Sequence, residues 1–216
     1  AALPMQFPVL PKNLKPFIGI AGNIGVGKTT FTEVVAKHFG WKEFYESVLD
    51  NPYLDDFYHN MSRWSFNLQI YFLKHRFSDQ VNIMNCNYGA IQDRTVYEDV
   101  EIFAKNLYKM NYISERDWKT YIGLFENMVQ FLKEPDLFIY LKASTDTLLS
   151  RIKNRNRDFE KTISPEYLHS LNISYDKWID GIDKNKVLII DTDKFNIFKD
   201  IDKLNAIFTK IQAALD

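Results

Sequence analysis

The sequence predicts an α/β protein built on a five-stranded parallel sheet with helices on both faces. Three observations predict it. Five short apolar runs recur along the 216 residues, bounded by polar or turn residues. Segments with helical spacing of apolar residues separate them. The first run ends in a glycine-rich turn that opens directly onto a helix. Strands that alternate with helices pair in parallel, because each crossover needs a helix-length segment.

The elements follow in order. Phe17 to Ala21, FIGIA, is an apolar run ending at glycine and reads as a buried strand. The next helix carries Phe31, Val34, Val35 and Phe39 at helical spacing and stops at Gly40. Trp41 to Glu46 reads as the second strand. Helices follow over Pro52 to Asn60 and, longer, Arg63 to Asn85. Tyr88 to Asp93, Asp136 to Leu141 and Lys186 to Asp191 complete the strands. Ligands of such sheets sit at the carboxyl ends of the strands, where Ala21, Glu46, Asp93 and Asp191 fall.

Composition narrows the classes. Hydrophobic residues make up 46% and charged residues 25%, the balance of an ordinary globular chain rather than a disordered one. A net charge of −1 supplies no field for nucleic acid or an anionic membrane, so neither is expected as a partner. Cys86 is the only cysteine, so no internal disulfide or zinc pattern exists, which fits a cytoplasmic location. No apolar run nears the roughly 18 residues of a membrane span. Residues 1–15, with four prolines up to Pro16, read as an extended leader without signal-peptide character, and Ala1 to Pro4 leave room for a tag remnant ahead of Met5. Residues 16–216 read as one domain. His38, His59, His75 and His169 lack metal spacing and read as structural or surface residues; Met84 and Met110 read as core.

Gly22 to Thr30, GNIGVGKTT, fits the phosphate-loop pattern G-x-x-x-x-G-K-[ST]. Gly22, Gly25 and Gly27 permit a tight turn, and Asn23, Ile24 and Val26 between them offer inward backbone N–H groups. The following helix turns its positive end to the ligand. Lys28 can bridge the β- and γ-phosphates, and Thr29, next to Thr30, can ligate Mg²⁺. The bland reading, a chance turn with a surface lysine, does not explain the strand before it and the amphipathic helix after it. The loop names no reaction, since switches, motors, transporters and kinases all use one.

The acceptor side is less determined by spacing. Glu46, at a strand end, is a candidate base for a hydroxyl proton or simply a solvated acid. Gln69 and Arg76 share a helix face about 10 Å apart along the axis; Gln can read a base edge through its planar donor–acceptor pair, or both can be surface residues. QDRTVYED brings Asp93 and Arg94 to the end of strand three and Asp99 into the next helix. Arg151, Arg155 and Arg157 are three cations in a polar stretch that reads equally as a phosphate-gripping lid or a basic surface helix. Phe66, Tyr71, Phe72 and Trp64 are candidates for the walls of a base pocket, whereas Tyr175 and Trp178 read as packing of a late helix.

Five pieces in order, GNIGVGKTT, YESVLDNPYLDDFY, FNLQIYFLKHR, QDRTVYED and RIKNRNRDFEKTISPEYL, resemble the deoxyribonucleoside kinase family, and most of all its bacterial deoxyadenosine kinases. The resemblance runs from about Phe17 to the C-terminus. It implies a P-loop nucleoside kinase fold with an arginine-rich lid, ATP and Mg²⁺ as cofactors, a deoxynucleoside acceptor in nucleotide salvage, and a homodimer. It implies roles as well: Glu46 as general base for the 5′-hydroxyl, Tyr58 with Glu160 on the 3′-hydroxyl, Gln69 on the base and the Arg76–Asp99 pair beside it. Asp93 falls near Mg²⁺ with Thr29, Arg94 near the 5′-oxygen and phosphates, and Arg151, Arg155 and Arg157 on ATP. Asp93 is one methylene shorter than the family's usual glutamate, and Thr95 replaces a serine. A nucleoside monophosphate kinase and a non-catalytic nucleotide sensor are the rival functions.

Overall fold

All six residues of the first strand, β1 (Phe17–Gly22), are buried. That placement fits a strand with neighbours on both sides and helices on both faces. A computed structural model of the protein describes residues 15–46 and 50–216. The predicted leader, apart from Lys15, lies outside the described residues. The sheet is parallel throughout, in the order β2-β3-β1-β4-β5, with β2 (Lys42–Phe44), β3 (Ala90–Asp93), β4 (Leu137–Lys142) and β5 (Val187–Asp191). Every predicted strand is present. The second is shorter than expected, so Glu46 stands just past its end.

Alternate strand residues face opposite sides. Phe17 and Ala90 pack with Ile83, while Ile18, Ile20 and Ile91 belong to the main core with Phe31 and Val35. Helices therefore cover both faces. Helix α1 (Lys28–Phe39) starts at Gly27, φ 100°, and ends at Gly40, φ 71°, whose N–H donates to Ala36 O. The left-handed region suits glycine at both ends. Helices α2 (Leu54–His59) and α3 (Met61–Met84) follow, the second capped by the Asn60 side chain. The inner face of α3 buries Leu68, Gln69, Phe72, Leu73, Arg76, Gln80 and Ile83. Its last residue, Met84, is 39% exposed, so the expectation of a core methionine is corrected there.

After β3, Thr95 caps α4 (Val96–Glu98). Six residues of π-helix (Asp99–Ala104) join it to α5 (Lys105–Lys109). Helices α6 (Glu115–Val129), α7 (Thr145–Arg155) and α8 (Pro165–Asp180) each begin behind a serine whose hydroxyl accepts a backbone N–H. Helix α9 (Ile201–Leu215) closes the chain. Among the described residues no helix is long and apolar enough to cross a membrane.

Candidate active site

The carboxyl ends of β1, β2 and β3 open into a cavity of about 410 Å³, within the range of small-molecule sites. The phosphate loop forms its floor. Gly25, φ 86°, lies so close to α7 that an added Cβ would stand 2.7 Å from Ile152 Cγ1. Neighbouring elements hold the loop from several sides. Asn23 Nδ2 donates to Leu168 O at 3.0 Å and to Asn172 Oδ1 at 2.8 Å, both on α8. Arg151 Nη1 donates to Val26 O at 3.0 Å and, with its partner nitrogen, to Thr192. Tyr175 donates from its hydroxyl to Gly22 O at 2.8 Å.

Lys28 and Thr29 sit at the start of α1, where the predicted motif put them. Burial, and then the nearby Arg94, push the Lys28 pKa down. Thr29 Oγ1 donates to Asp93 Oδ2 at 3.0 Å, and Asp93 Oδ1, buried, has no hydrogen-bond partner. Burial raises the Asp93 pKa against the pull of Lys28. A hydroxyl and a carboxylate oxygen side by side make a hard-oxygen donor set that fits Mg²⁺, which keeps several waters or phosphate oxygens and asks few protein ligands. Among the described residues no cluster of three or more His, Cys, Asp or Glu could hold a metal ion.

Arg94 is the residue on which the charges converge. Its φ of 69° is left-handed, an uncommon conformation for a non-glycine residue, and such strain gathers at functional sites. Its N–H donates to Ile20 O at 3.0 Å. Its guanidinium lies 4.0 Å from the Phe103 ring centroid, a cation–π contact. Nη1 pairs with Glu46 Oε1 at 3.1 Å, and Nε stands 3.8 Å from Glu98 Oε2. Burial opposes charge on Arg94, but Glu46, Tyr175 and Glu98 raise its pKa well above the usual value. Arg76 Nη2 also reaches Glu46 Oε1, at 3.4 Å. Burial acts to raise the Glu46 pKa, yet Arg94, Arg76, Lys28 and Arg155 outweigh it and hold it at about 2.

Beyond Glu46 the walls turn apolar, with Leu54, Phe57, Leu68, Phe72 and Phe103 around Gln69. Gln69 Oε1 is buried without a hydrogen-bond partner. Of the aromatics predicted as walls, Phe72 lines the cavity. Trp64 and Tyr71 pack around Tyr53 instead, and Phe66 belongs to a separate cluster with Leu73 and Val100. Arg76 and Asp99 form a fully buried pair, Nε to Oδ2 at 2.9 Å; they lie behind the lining rather than in it. Burial, countered by Arg76, raises the Asp99 pKa to about 6.

The lid side brings Tyr58, Arg155, Arg157 and Glu160 to the same cavity. Arg155 grips Glu160 with a two-point fork, Nε to Oε1 at 2.9 Å and Nη2 to Oε2, while Arg157 Nε stands 4.0 Å away. Burial raises the Tyr58 pKa well above its ordinary value. The structure thus gathers the phosphate loop, Glu46, Gln69 and the expected lid residues Arg151, Arg155 and Arg157 around one volume.

The model of the deoxynucleoside kinase family matches residues 18–216. The chain belongs to this family. It is 39% identical over 208 residues to the deoxyadenosine/deoxycytidine kinase of Bacillus subtilis (strain 168), covering 95% of each chain. It is 43% identical over 167 residues to the deoxyadenosine kinase of Dictyostelium discoideum, covering 77% of this chain and 68% of that one. Among solved structures, deoxyadenosine kinase from M. mycoides with bound dATP is 32% identical, with a TM-score of 0.77 over 90% of this chain and 99% of that one. The protein is therefore a kinase on a five-stranded parallel α/β fold.

Sequence reasoning missed two buried residues that brace the phosphate loop from outside the cavity lining. Glu98 is fully buried and accepts from Gly22 N at 3.1 Å and from the Tyr175 hydroxyl. In sequence Glu98 is an ordinary first-turn acid, favoured by the helix dipole. Tyr175 sits on the apolar face of α8 and reads as packing. Thr95 Oγ1 accepts from Glu98 N, a local cap that says nothing of a partner far away in sequence.

Proposed function

We propose that the protein is a deoxynucleoside 5′-kinase of nucleotide salvage, which transfers the γ-phosphate of ATP to the 5′-hydroxyl of a deoxynucleoside and prefers deoxyadenosine. The observation that carries this reading is the placement of Glu46. A carboxylate ion-paired to Arg94 at 3.1 Å shares one cavity with the phosphate loop, Lys28 and Gln69.

The chain's own residues divide the work. Backbone N–H groups of residues 22–30 and Lys28 hold the donor phosphates. Thr29 and Asp93 would hold Mg²⁺. That ion, when bound, would screen charge on the phosphate oxygens. Glu46 accepts the hydroxyl proton, and Arg94 orients Glu46 and offsets charge that develops on the transferring phosphoryl group. With a pKa of about 2, Glu46 is fully ionised at neutral pH and a weak base. Positioning and charge stabilisation therefore supply more of the rate than proton abstraction. Tyr58 and Glu160 hold the sugar, Gln69 meets the base edge, and Arg151, Arg155 and Arg157 close over the phosphates and exclude water.

The preference for deoxyadenosine rests on Gln69 with the Arg76–Asp99 pair behind it, a polar set suited to an amino-bearing base edge. Deoxyguanosine and deoxycytidine rank next. A homodimer is part of the proposal. Its support is an outward apolar face on α6 and the turn after it, where Leu124 is 41% and Phe131 72% exposed.

ADP release from Mg·ATP, measured with the four deoxynucleosides, their four monophosphates and no acceptor, tests the function. Turnover with deoxyadenosine and little with thymidine or any monophosphate is expected. Turnover with monophosphates alone would replace this reading with a nucleoside monophosphate kinase.

A further inference from the structure

Glu98 has no part in the chemistry described so far, yet it is one of the most constrained side chains in the molecule. It is fully buried, 0% exposed. Its Oε2 accepts from the Gly22 backbone N–H at 3.1 Å and from the Tyr175 hydroxyl, and it stands 3.8 Å from Arg94 Nε. Its Oε1 has no hydrogen-bond partner. The Tyr175 hydroxyl also reaches the other side of the same residue, 2.8 Å from Gly22 O, its single proton shared between that carbonyl and Glu98 Oε2, and its ring is stacked on Tyr140 with centroids 5.5 Å apart. One glycine thus has both its N–H and its C=O held by a carboxylate–phenol pair that also faces Arg94.

A buried carboxylate is costly unless it is paired, so a role as filler is a poor account of it. Simple support of the loop does not need a charge, since an amide or hydroxyl could accept from Gly22. What a carboxyl adds is an oxygen 3.8 Å from Arg94 Nε that becomes a second anion on Arg94 as it ionises at about pH 7. Arg94 then lies between Glu46, on the acceptor side, and Glu98, on the donor side.

We propose that Glu98, braced by Tyr175, is a positioning residue that ties the first residue of the phosphate loop to Arg94, so that donor phosphates and acceptor oxygen are held in one register. The brace acts through Gly22 and Arg94 and touches no reacting atom. Its effect falls on the transition state, where about 1 Å of misplacement can cost on the order of a hundredfold in rate, and not on ground-state binding. The inference rests on the kinase reading above.

The test uses the full chain with Glu98→Gln, Tyr175→Phe and the double variant. Wild-type turnover with deoxynucleosides tests the kinase reading; the ratio of each variant to wild type tests the brace, on whichever acceptor the wild type uses. Glu98→Gln is expected to lower kcat about ten- to a hundredfold, with KM for acceptor and ATP, and Kd for ADP, within about twofold. Tyr175→Phe should move the same parameters the same way. The double variant should be no worse than the poorer single one, as for residues acting as a unit. An unchanged kcat in Glu98→Gln, or a loss confined to KM or ADP affinity, would overturn the proposal. If Glu98→Gln does not fold, Tyr175→Phe decides: a lowered kcat at constant KM supports the brace, and wild-type kcat sinks it.

Discussion

Four cations surround Glu46, and their effect is opposite to that of burial alone. Lys28, Arg76, Arg94 and Arg155 keep its carboxylate ionised to about pH 2. Glu46→Gln is therefore expected to cost about a hundredfold or more in kcat while leaving ADP affinity near wild type, read from steady-state kinetics and calorimetry. Glu98 and Asp99 behave the other way. Burial raises them to about 7 and about 6, from ordinary values of 4.5 and 3.8. The folded chain binds both protons more tightly than the unfolded chain, so their contribution favours folding at low pH and is lost as pH rises through 6 and 7. Glu46, shifted down, loses its contribution only below about pH 4.5 and does not affect that window. Melting temperature should consequently fall between pH 5 and pH 8, and the fall should be shallower in Glu98→Gln. A slope equal to wild type would show that Glu98 does not titrate there. These residues also mark the limit of what the sequence discloses. The places of Lys28 and Thr29 were legible because the loop pattern is local, and that of Asp93 because it ends a strand. Glu98 was not, because its partner Tyr175 stands 77 residues on and no short-range pattern links them.

Among the elements, the helix after β3 decides how the base side is built. Its π-helical stretch holds Asp99, which pairs with Arg76 of α3 at 2.9 Å, and Phe103, which packs on Arg94. Such turns are frequent at functional sites. Side-chain periodicity predicted a helix there but not its wider hydrogen-bond register, which is a property of the backbone. Removing one partner of the buried pair leaves the other charge alone. Arg76→Met or Asp99→Ala should each cost about 3–5 kcal/mol of stability. Replacing both with small apolar residues should recover much of that loss and raise activity on thymidine relative to deoxyadenosine. Denaturant unfolding and the acceptor assay read the two effects. An unaltered acceptor ranking in the folded double variant would remove the pair as selector. The strands, by contrast, were plain in the sequence, since apolar runs of five or six residues between helical segments admit few other readings.

Across the whole molecule, the apolar surface around α6 predicts association. Replacing Leu124 and Phe131 with glutamate should convert a dimer to a monomer in light scattering, with the sheet's circular dichroism unchanged; a wild type that is already monomeric would refute the dimer. The strand order was not written in any one segment. It emerges from pairing β1 with both β3 and β4, which sets the phosphate loop at the middle of the sheet. That arrangement has a consequence for how the chain is made. GNIGVGKTT leaves the ribosome well before Tyr175, which fastens Gly22 and lies 153 residues on. In that interval the nascent chain carries a phosphate-binding motif without the helix that braces it. A nucleotide can reward the fold only once α8 has been made, so its capture follows that helix and helps draw it into place.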